Sequence, residues 1–245
     1  MNNAVTDASG ADVTIKGNIY TLADGKINLG LGSANSLLTG VIENADGGSV
    51  NIYLENGAIW NNLSTSKALG FTGSHISNLV GGTAYGKGVI FQKDSNPLSI
   101  DNYSGYTTVL YSHDASTPTT IIGGDVKIGT AATGSNITLR TDNTGLNTSS
   151  TLAVDKNLVS ATLNALANKL YYTAYTTNER NLTGKVEIAE GLTAQSASMQ
   201  VGDITYKTDN GQGQYEYTPA EDVPDTSAIT NSTTLQKSRV ATATE

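Results

Sequence analysis

The sequence contains no cysteine, only 4 prolines and few charged residues for its length of 245. Without cysteine there can be no disulfides, thiolate zinc sites or cysteine nucleophiles. Charged residues make up 15% of the chain, against about a quarter in an average domain. The formal net charge is -8. An acidic surface repels phosphate backbones, so the composition argues against nucleic acid as a partner.

Long apolar runs are also missing. No stretch approaches the roughly 20 consecutive apolar residues of a membrane-spanning helix, so we expect no membrane insertion by this chain. The N-terminal residues 1–4 lack the basic and apolar regions of a signal peptide. If the protein is exported, we therefore expect this chain to be an internal fragment.

What the chain has in quantity is a short alternating motif, often preceded by a glycine. In each copy, two aliphatic or β-branched residues flank a polar one, which places the apolar side chains on one strand face. The copies are Asp12–Lys16, Lys26–Leu29, Ser49–Ile52, Asp125–Ile128, Asn136–Leu139, Lys185–Ile188 and Asp203–Tyr206. One such strand cannot bury its apolar face alone, so the motif favours stacking of equivalent strands from successive turns.

The spacing of the motif suggests the coil length. The step from Ile27 to Val50 corresponds to one coil, and the interval from Val50 to Val126 holds about three more. Weaker strand candidates fill that interval: residues 57–60, 75–79, 88–91, 98–100 and 106–111. We predict an all-β fold, a right-handed parallel β-helix of the pectin-lyase-like or pertactin-like kind. A β-sandwich or jelly roll is the alternative, because it also uses short, regularly spaced strands.

The pattern changes after residue 150. Apolar residues recur at helical spacing over residues 155–170 and predict a helix. Strands return from residue 183, with a hairpin turn at Gly211 and Gly213. The sequence thus divides into a solenoid at 1–150, a helix plus β cap at 151–217, and a polar linker or tail at 218–245. We expect the cap to cover the last coil, whose open edge would otherwise invite aggregation.

Three segments in this C-terminal part resemble the end of the passenger in bacterial autotransporters of type V secretion. They are residues 163–172 (LNALANKLYY), residues 181–193 (NLTGKVEIAEGLT) and the tail from Pro224 to Arg239. A weaker likeness to passenger β-helix strands lies at residues 54–60 (LENGAIW). The resemblance implies an autochaperone-like cap at 151–217. It also implies a tail leading to an outer-membrane β-barrel that this sequence does not include.

The same resemblance sets our functional expectation. It implies a passenger exported through the outer membrane and displayed at the bacterial cell surface, which would make the protein extracellular and linked to virulence. Such a protein would act as a non-catalytic stalk or adhesin and would assist passenger folding. Its partners would be a host glycan, a protein receptor, another copy of itself, or its own barrel. We expect no cofactor, no metal ion and no enzymatic activity.

Some motifs suggest catalysis. Residues 81–88 contain Gly-x4-Gly-Lys, but glycine replaces the Ser or Thr of a phosphate-binding loop and a strand follows. Ser112, His113 and Asp114 are adjacent, which does not make a triad. Clustered Asp125, Lys127 and Arg140 would favour the alternative of a carbohydrate-active β-helix enzyme, either a polysaccharide lyase or a glycosidase. A further alternative is a structural protein of a phage or a surface layer.

The remaining candidate surface is aromatic. Exposed tyrosines can stack on sugars or contact proteins. The candidates fall in two groups: Tyr103, Tyr106 and Tyr111, and Tyr171, Tyr172 and Tyr175. The competing interpretation is that these rings cap the solenoid or pair across strands.

Overall fold

The structure is a computed structural model, and it describes residues 12–44, 47–65, 73–114, 116–117, 119–142, 147–148, 153–154, 156–172, 181–189, 198–209 and 212–217. This part of the chain is mostly β, with long parallel sheets and one helix. In chain order the first strands are β1 Thr14–Lys16, β2 Ile19–Thr21, β3 Lys26–Leu31, β4 Leu37–Thr39, β5 Ile42–Asn44, β6 Ser49–Leu54, β7 Ile59–Asn61, β8 Ser74–Gly81, β9 Gly88–Phe91, β10 Leu98–Ser104 and β11 Tyr106–Leu110. They are followed by β12 Ser112–His113, β13 Ile121–Ile122, β14 Val126–Ala131, β15 Ser135–Asp142, β16 Asn147–Thr148, β17 Ala153–Val154, α1 Lys156–Ala167, β18 Leu170–Tyr172, β19 Leu182–Ala189, β20 Ser198–Asp209 and β21 Gln212–Tyr217.

Successive strands alternate between two stacked sheets. Sheet A runs β1-β4-β7-β9-β11-β15-β19 in parallel and then adds β20 and β21 in antiparallel fashion. Sheet B runs β2-β5-β8-β10-β14-β18 in parallel, and β3 and β6 join it alongside the second half of β8. Each coil thus contributes one strand to every layer, as in a solenoid.

The parallel register confirms the predicted coil spacing. Ile27 pairs with Val50, and three further steps through β8 and β10 lead from Val50 to β14. All seven strand motifs and the five weaker candidates lie at least partly in strands. Parallel ladders exclude the sandwich and jelly-roll alternative, whose sheets are antiparallel.

The interior is a stack of aliphatic and aromatic side chains. On the inner face of sheet A, the register brings Leu38, Trp60, Ile90, Val109 and Leu139 into one row, and each is 0% exposed. Burying one such side chain stabilises the fold by about 1.5–3 kcal/mol relative to leaving it in water. The row therefore supplies much of the free energy that holds neighbouring coils together.

One corner of the coil depends on a glycine. Gly105 alone separates β10 of sheet B from β11 of sheet A and has φ +79°. A Cβ at this position would lie 2.4 Å from the carbonyl oxygen of Gly81. Glycine permits the left-handed conformation and also the close approach of the neighbouring coil.

Outside the core, an asparagine ladder runs up the outer side of sheet B. Asn51 donates to Asn28 at 2.6 Å and Asn78 donates to Asn51 at 2.5 Å, each through Nδ2 to Oδ1 of the coil before. Asn102 occupies the next rung, where its Oδ1 accepts from Thr130 Oγ1 at 2.7 Å. Stacked amides of this kind tie successive parallel strands together in register.

A second polar network is buried at the corner that follows sheet A. Gln92, which is 0% exposed, donates through Nε2 to the carbonyl oxygens of Asn96 and of Gly124, the latter at 3.1 Å. Its Oε1 accepts from Asn62 Nδ2 at 2.9 Å. Tyr111 Oη donates to the same Gly124 carbonyl at 3.2 Å. Buried backbone carbonyls that no strand can satisfy therefore receive side-chain donors.

The C-terminal end differs from the rest of the stack. Helix α1 ends at Ala167, three residues before the end of the predicted helix, because Leu170 pairs with Val126 and begins β18. Either conformation would bury Leu170, and the open edge of β14 favours the strand. The parallel stack continues through β19, and β21 then lies alongside β18. The predicted tail at 218–245 lies outside the described residues.

A candidate ligand-contact groove on sheet B

A row of polar and aromatic side chains lies on the outer face of sheet B. The parallel register aligns Glu43, His75, Ser99, Lys127 and Tyr171, one from each of β5, β8, β10, β14 and β18. Their strand neighbours Ile76, Ile100 and Ile128 are buried. Alternation along a strand therefore turns the row toward solvent.

Part of this row lines a groove of about 310 Å³. Its walls are Ser74, Pro97, Leu98, Ser99, Asp125, Lys127 and Tyr171. The Asp125 carboxylate lies 3.5 Å from Lys169 Nζ, which also donates to the Gly123 carbonyl oxygen at 2.9 Å. The Asp125 side chain remains 50% exposed, so it keeps acceptor capacity for a ligand.

Beside the groove, His75 Nε2 lies 2.8 Å from Asp101 Oδ1. The two side chains are 39% and 49% exposed. A contact this exposed contributes at most about 1 kcal/mol to stability. Its effect is to hold the imidazole in one orientation at the rim of the groove.

The groove offers a mixed set of contacts. Tyr171 supplies an aromatic ring, Ser99 a hydroxyl, and Asp125 and Lys127 one acidic and one basic group. Such a set can hydrogen-bond to hydroxyl groups while the ring covers an apolar face. Of the residues named from sequence, Tyr171, Asp125 and Lys127 belong to it.

Three of the six candidate tyrosines are buried. Tyr103, Tyr111 and Tyr172 are 2%, 0% and 1% exposed, so none can form a contact surface. Tyr103 Oη donates to the Asn136 carbonyl oxygen at 2.6 Å, which satisfies the phenol inside the core. Burial raises the pKa of both Tyr103 and Tyr111.

The other candidate tyrosines are distributed differently. Tyr106 on sheet A and Tyr171 in the groove are partly exposed, and Tyr175 lies outside the described residues. The most exposed ring of the described chain is Tyr85, which sits in the loop between β8 and β9. This loop is the Gly-x4-Gly-Lys segment, and it leads directly into strand β9 as predicted.

The suggested acid–base cluster does not assemble. Asp125 and Lys127 line the groove on sheet B, whereas Arg140 lies on β15 of sheet A and is paired with Glu187. Arg140 Nε donates to the Glu187 carboxylate at 2.8 Å. Nearby, burial lowers the pKa of Lys87, and the Glu187 carboxylate partly opposes this shift.

The adjacent Ser112, His113 and Asp114 do not form a triad. His113 Nδ1 lies 2.9 Å from Thr141 Oγ1. The Asp114 carboxylate accepts from the backbone N–H groups of Ser116 and Thr117 at 2.7 and 3.3 Å. Asp114 therefore stabilises the turn between β12 and β13.

Sequence reasoning missed Ser99 and Asp101, which both lie on β10, and Lys169, which directly precedes β18. The only signal for them was the register itself, since Ser99 lies between His75 and Lys127 once the coils are aligned. Within the described ranges, no group of three or more His, Asp or Glu side chains is placed to hold a metal ion. In the same part of the chain, no helix is long and apolar enough to cross a bilayer.

Comparison of the chain with protein-family models, with curated proteins and with solved structures gives no match. The features that bear on function are therefore the parallel solenoid-like stack and the groove on its flank.

Proposed function

We propose that this chain is a right-handed parallel β-helix that serves as a non-catalytic display stalk with a ligand-contact groove, in the manner of an autotransporter passenger. The observation that carries the proposal is the uninterrupted parallel stack from β1 to β19. A connection between parallel strands of one sheet is right-handed in about 98% of cases, which supports this hand. Export to the bacterial cell surface, adhesion and a link to virulence belong to the same proposal.

The architecture suits a spacer. Each coil contacts only its neighbours, so length is added without a new core. On sheet A the Arg140–Glu187 pair serves structure, since it ties β15 to β19. The absence of cysteine suits a chain that must cross an oxidising compartment unfolded.

The groove gives the stalk a place for contact with a receptor. Binding of the purified chain to a glycan array and to whole cells tests this idea, with a polysaccharide-degradation assay in parallel. We expect binding without turnover. Tyr171→Ala should reduce binding at least fivefold, whereas Tyr106→Ala, which removes a partly exposed ring from sheet A, should not. Equal binding by both variants would refute the groove as the contact site.

A second candidate is a carbohydrate-active enzyme, favoured by the Asp125 carboxylate beside two lysines at the groove. It predicts polysaccharide cleavage that Asp125→Asn abolishes while the far-UV circular dichroism spectrum stays unchanged. Absence of turnover on acidic and neutral polysaccharides would exclude this candidate. A structural protein of a phage or surface layer would instead form lattices visible by electron microscopy.

The cap belongs to the same proposal. Deleting residues 151–217 would expose the edge of β14 and leave β15 without β19. We expect the truncated chain to aggregate, as measured by light scattering, because unpaired strands template further pairing. A soluble, folded truncation would show that this segment has no capping role.

A further inference from the structure

The turn between β6 and β7 contains an asparagine followed directly by a glycine. Asn56 and Gly57 have φ values of 52° and 81°, and the Ala58 N–H donates to the Glu55 carbonyl oxygen at 2.9 Å. Positive φ at both central residues is the conformation of a type I′ turn, which favours Asn-Gly. The same dipeptide is the one most prone to deamidation, because glycine leaves the nitrogen that follows asparagine unhindered.

Deamidation requires the backbone nitrogen of Gly57 to attack Cγ of Asn56. A Cγ–N bond forms, the Cγ–Nδ2 bond breaks, and ammonia leaves with the proton that the backbone nitrogen gives up. Water then opens the resulting succinimide at either carbonyl, which leaves aspartate or isoaspartate at position 56. Asn56 is exposed to solvent, so the rate depends on whether the two reacting groups can meet.

Neighbouring coils hold both reacting groups. The Gly57 N–H donates to the Lys87 carbonyl oxygen at 2.9 Å, in the coil after the turn. Asn56 Nδ2 donates to the Gly32 carbonyl oxygen at 3.1 Å, in the coil before it. The attacking nitrogen and the leaving amino group are therefore fastened to different coils. While these hydrogen bonds last, the nitrogen keeps its proton and the carboxamide cannot turn toward it.

The loop between β8 and β9 closes over the turn. In addition to the Gly57 contact, the Asn56 N–H donates to the Gly86 carbonyl oxygen at 2.9 Å, and Glu55 forms an antiparallel bridge with Lys87. Gly57 is therefore released only when this loop separates from the turn. Such separations occur locally, without unfolding of the whole stack.

We propose that Asn56 is a latent deamidation site that reacts only when the β6–β7 turn and the β8–β9 loop separate. The reaction removes Nδ2, so the product has no donor for the Gly32 carbonyl. Isoaspartate also adds a methylene group to the backbone of the turn. Both changes oppose closure, which makes the modification a lasting record of each opening. Asn56 is not among the residues that line the groove, so its reaction is independent of the proposed display function.

Peptide mapping by mass spectrometry measures the reaction in the full chain. The chain is incubated in mildly alkaline buffer with and without denaturing guanidinium chloride. We expect conversion of Asn56 to be at least about tenfold slower in the folded chain, because a structured turn must open before it reacts. Equal rates in the folded and unfolded chain would overturn the proposal.

Gly86→Ala tests the contact with the loop. A Cβ at Gly86 would lie 2.5 Å from Asn56 Oδ1, so the carboxamide must turn away and lose its bond to Gly32. The native rate should rise roughly fivefold, the factor that one hydrogen bond of average strength represents. Tyr85→Ala is the matched control, because it alters the same loop but removes a fully exposed ring. Comparable rates in the two variants would refute the loop contact as the gate.

Hydrogen exchange at the Gly57 amide provides a readout that does not depend on the behaviour of Gly86→Ala. Asn56→Asp reproduces one product and lacks the donor to Gly32, so it should speed this exchange roughly fivefold. Asn102→Asp makes the same change on β10, outside the turn, and should leave the exchange unchanged. A Gly57 amide that exchanges in the parent chain as fast as in the unfolded chain would refute the proposal.

Discussion

The buried network around Gln92 allows a quantitative prediction. Gln92→Leu preserves side-chain volume but removes three hydrogen bonds: two to the carbonyls of Asn96 and Gly124 and one from Asn62. Each orphaned partner keeps another contact, since Asn62 still donates to the Asn96 carbonyl at 3.3 Å and Tyr111 to the Gly124 carbonyl at 3.2 Å. The cost is therefore about 1 kcal/mol for each bond lost, or roughly 3 kcal/mol in total, without a full desolvation penalty.

The same geometry predicts coupling between two side chains. Tyr111→Phe alone should cost about 1 kcal/mol, because Gln92 still serves the Gly124 carbonyl. In the double variant that buried carbonyl loses both side-chain donors. We therefore expect the double variant to be less stable than the sum of the two single changes by about 1 kcal/mol or more.

Urea unfolding followed by Trp60 fluorescence measures these values, since Trp60 is the only tryptophan and is 0% exposed. Tyr103→Phe is the matched control, because its hydroxyl bonds to Asn136, outside the network. It should add to Gln92→Leu within about 0.5 kcal/mol. Strict additivity of Gln92→Leu with Tyr111→Phe would refute the shared-acceptor argument.

Further predictions concern charge and burial. Arg140→Met should destabilise the fold by about 3 kcal/mol in urea unfolding, because it leaves the Glu187 carboxylate, which is only 6% exposed, without its ion-pair partner. His75→Ala should cost less than about 1 kcal/mol, because the contact it removes is exposed. Burial raises the pKa of Tyr103 and Tyr111 above that of a free phenol, so their contribution to stability is complete below about pH 10 and is lost as pH rises through the folded pKa. Tyrosinate absorbance near 295 nm and circular dichroism should then change together at alkaline pH, and early ionisation without unfolding would contradict the burial of these rings.

Much of the strand pattern could be predicted because period-two alternation is a local property. Residues 49–52 and 125–128 alternate over four positions; the first segment lies in β6, and residues 126–128 of the second lie in β14. Three-residue strands such as β2, β4 and β5 were missed because they are too short to show a period. Their conformation follows from pairing with the neighbouring coil, which depends on coil length.

Coil length is also why the site was only partly predictable. The step between paired residues is 23 at Asn28–Asn51 and 47 at Arg140–Glu187. Insertions such as α1 lengthen individual coils between one strand of a sheet and the next. Residues that are distant in sequence therefore become neighbours without a regular sequence period that would indicate it. Arg140 could therefore be assigned to an outer face but not to a sheet, and it was wrongly grouped with Asp125.

The burial of Tyr103 and Tyr111 could not be predicted for a different reason. A phenol is equally suited to a surface and to a core in which a carbonyl lies within reach. Tyr103 and Tyr111 find such carbonyls on Asn136 and Gly124, respectively 33 and 13 residues away. No local sequence pattern indicates a carbonyl acceptor that is so distant in the chain. The burial of these two rings therefore follows from how the coils stack.

The same polar contacts explain how an irregular repeat keeps a unique register. An aliphatic interior tolerates a shift of two residues, since alternation is preserved. The amide of Asn51, however, must meet Asn28 below and Asn78 above, and Gln92 must reach two specific carbonyls. A shifted coil would break the asparagine ladder and would leave the buried Gln92 amide without partners, which costs about 1–3 kcal/mol for an unsatisfied buried group. The polar contacts therefore set the alignment and the apolar stack supplies the cohesion.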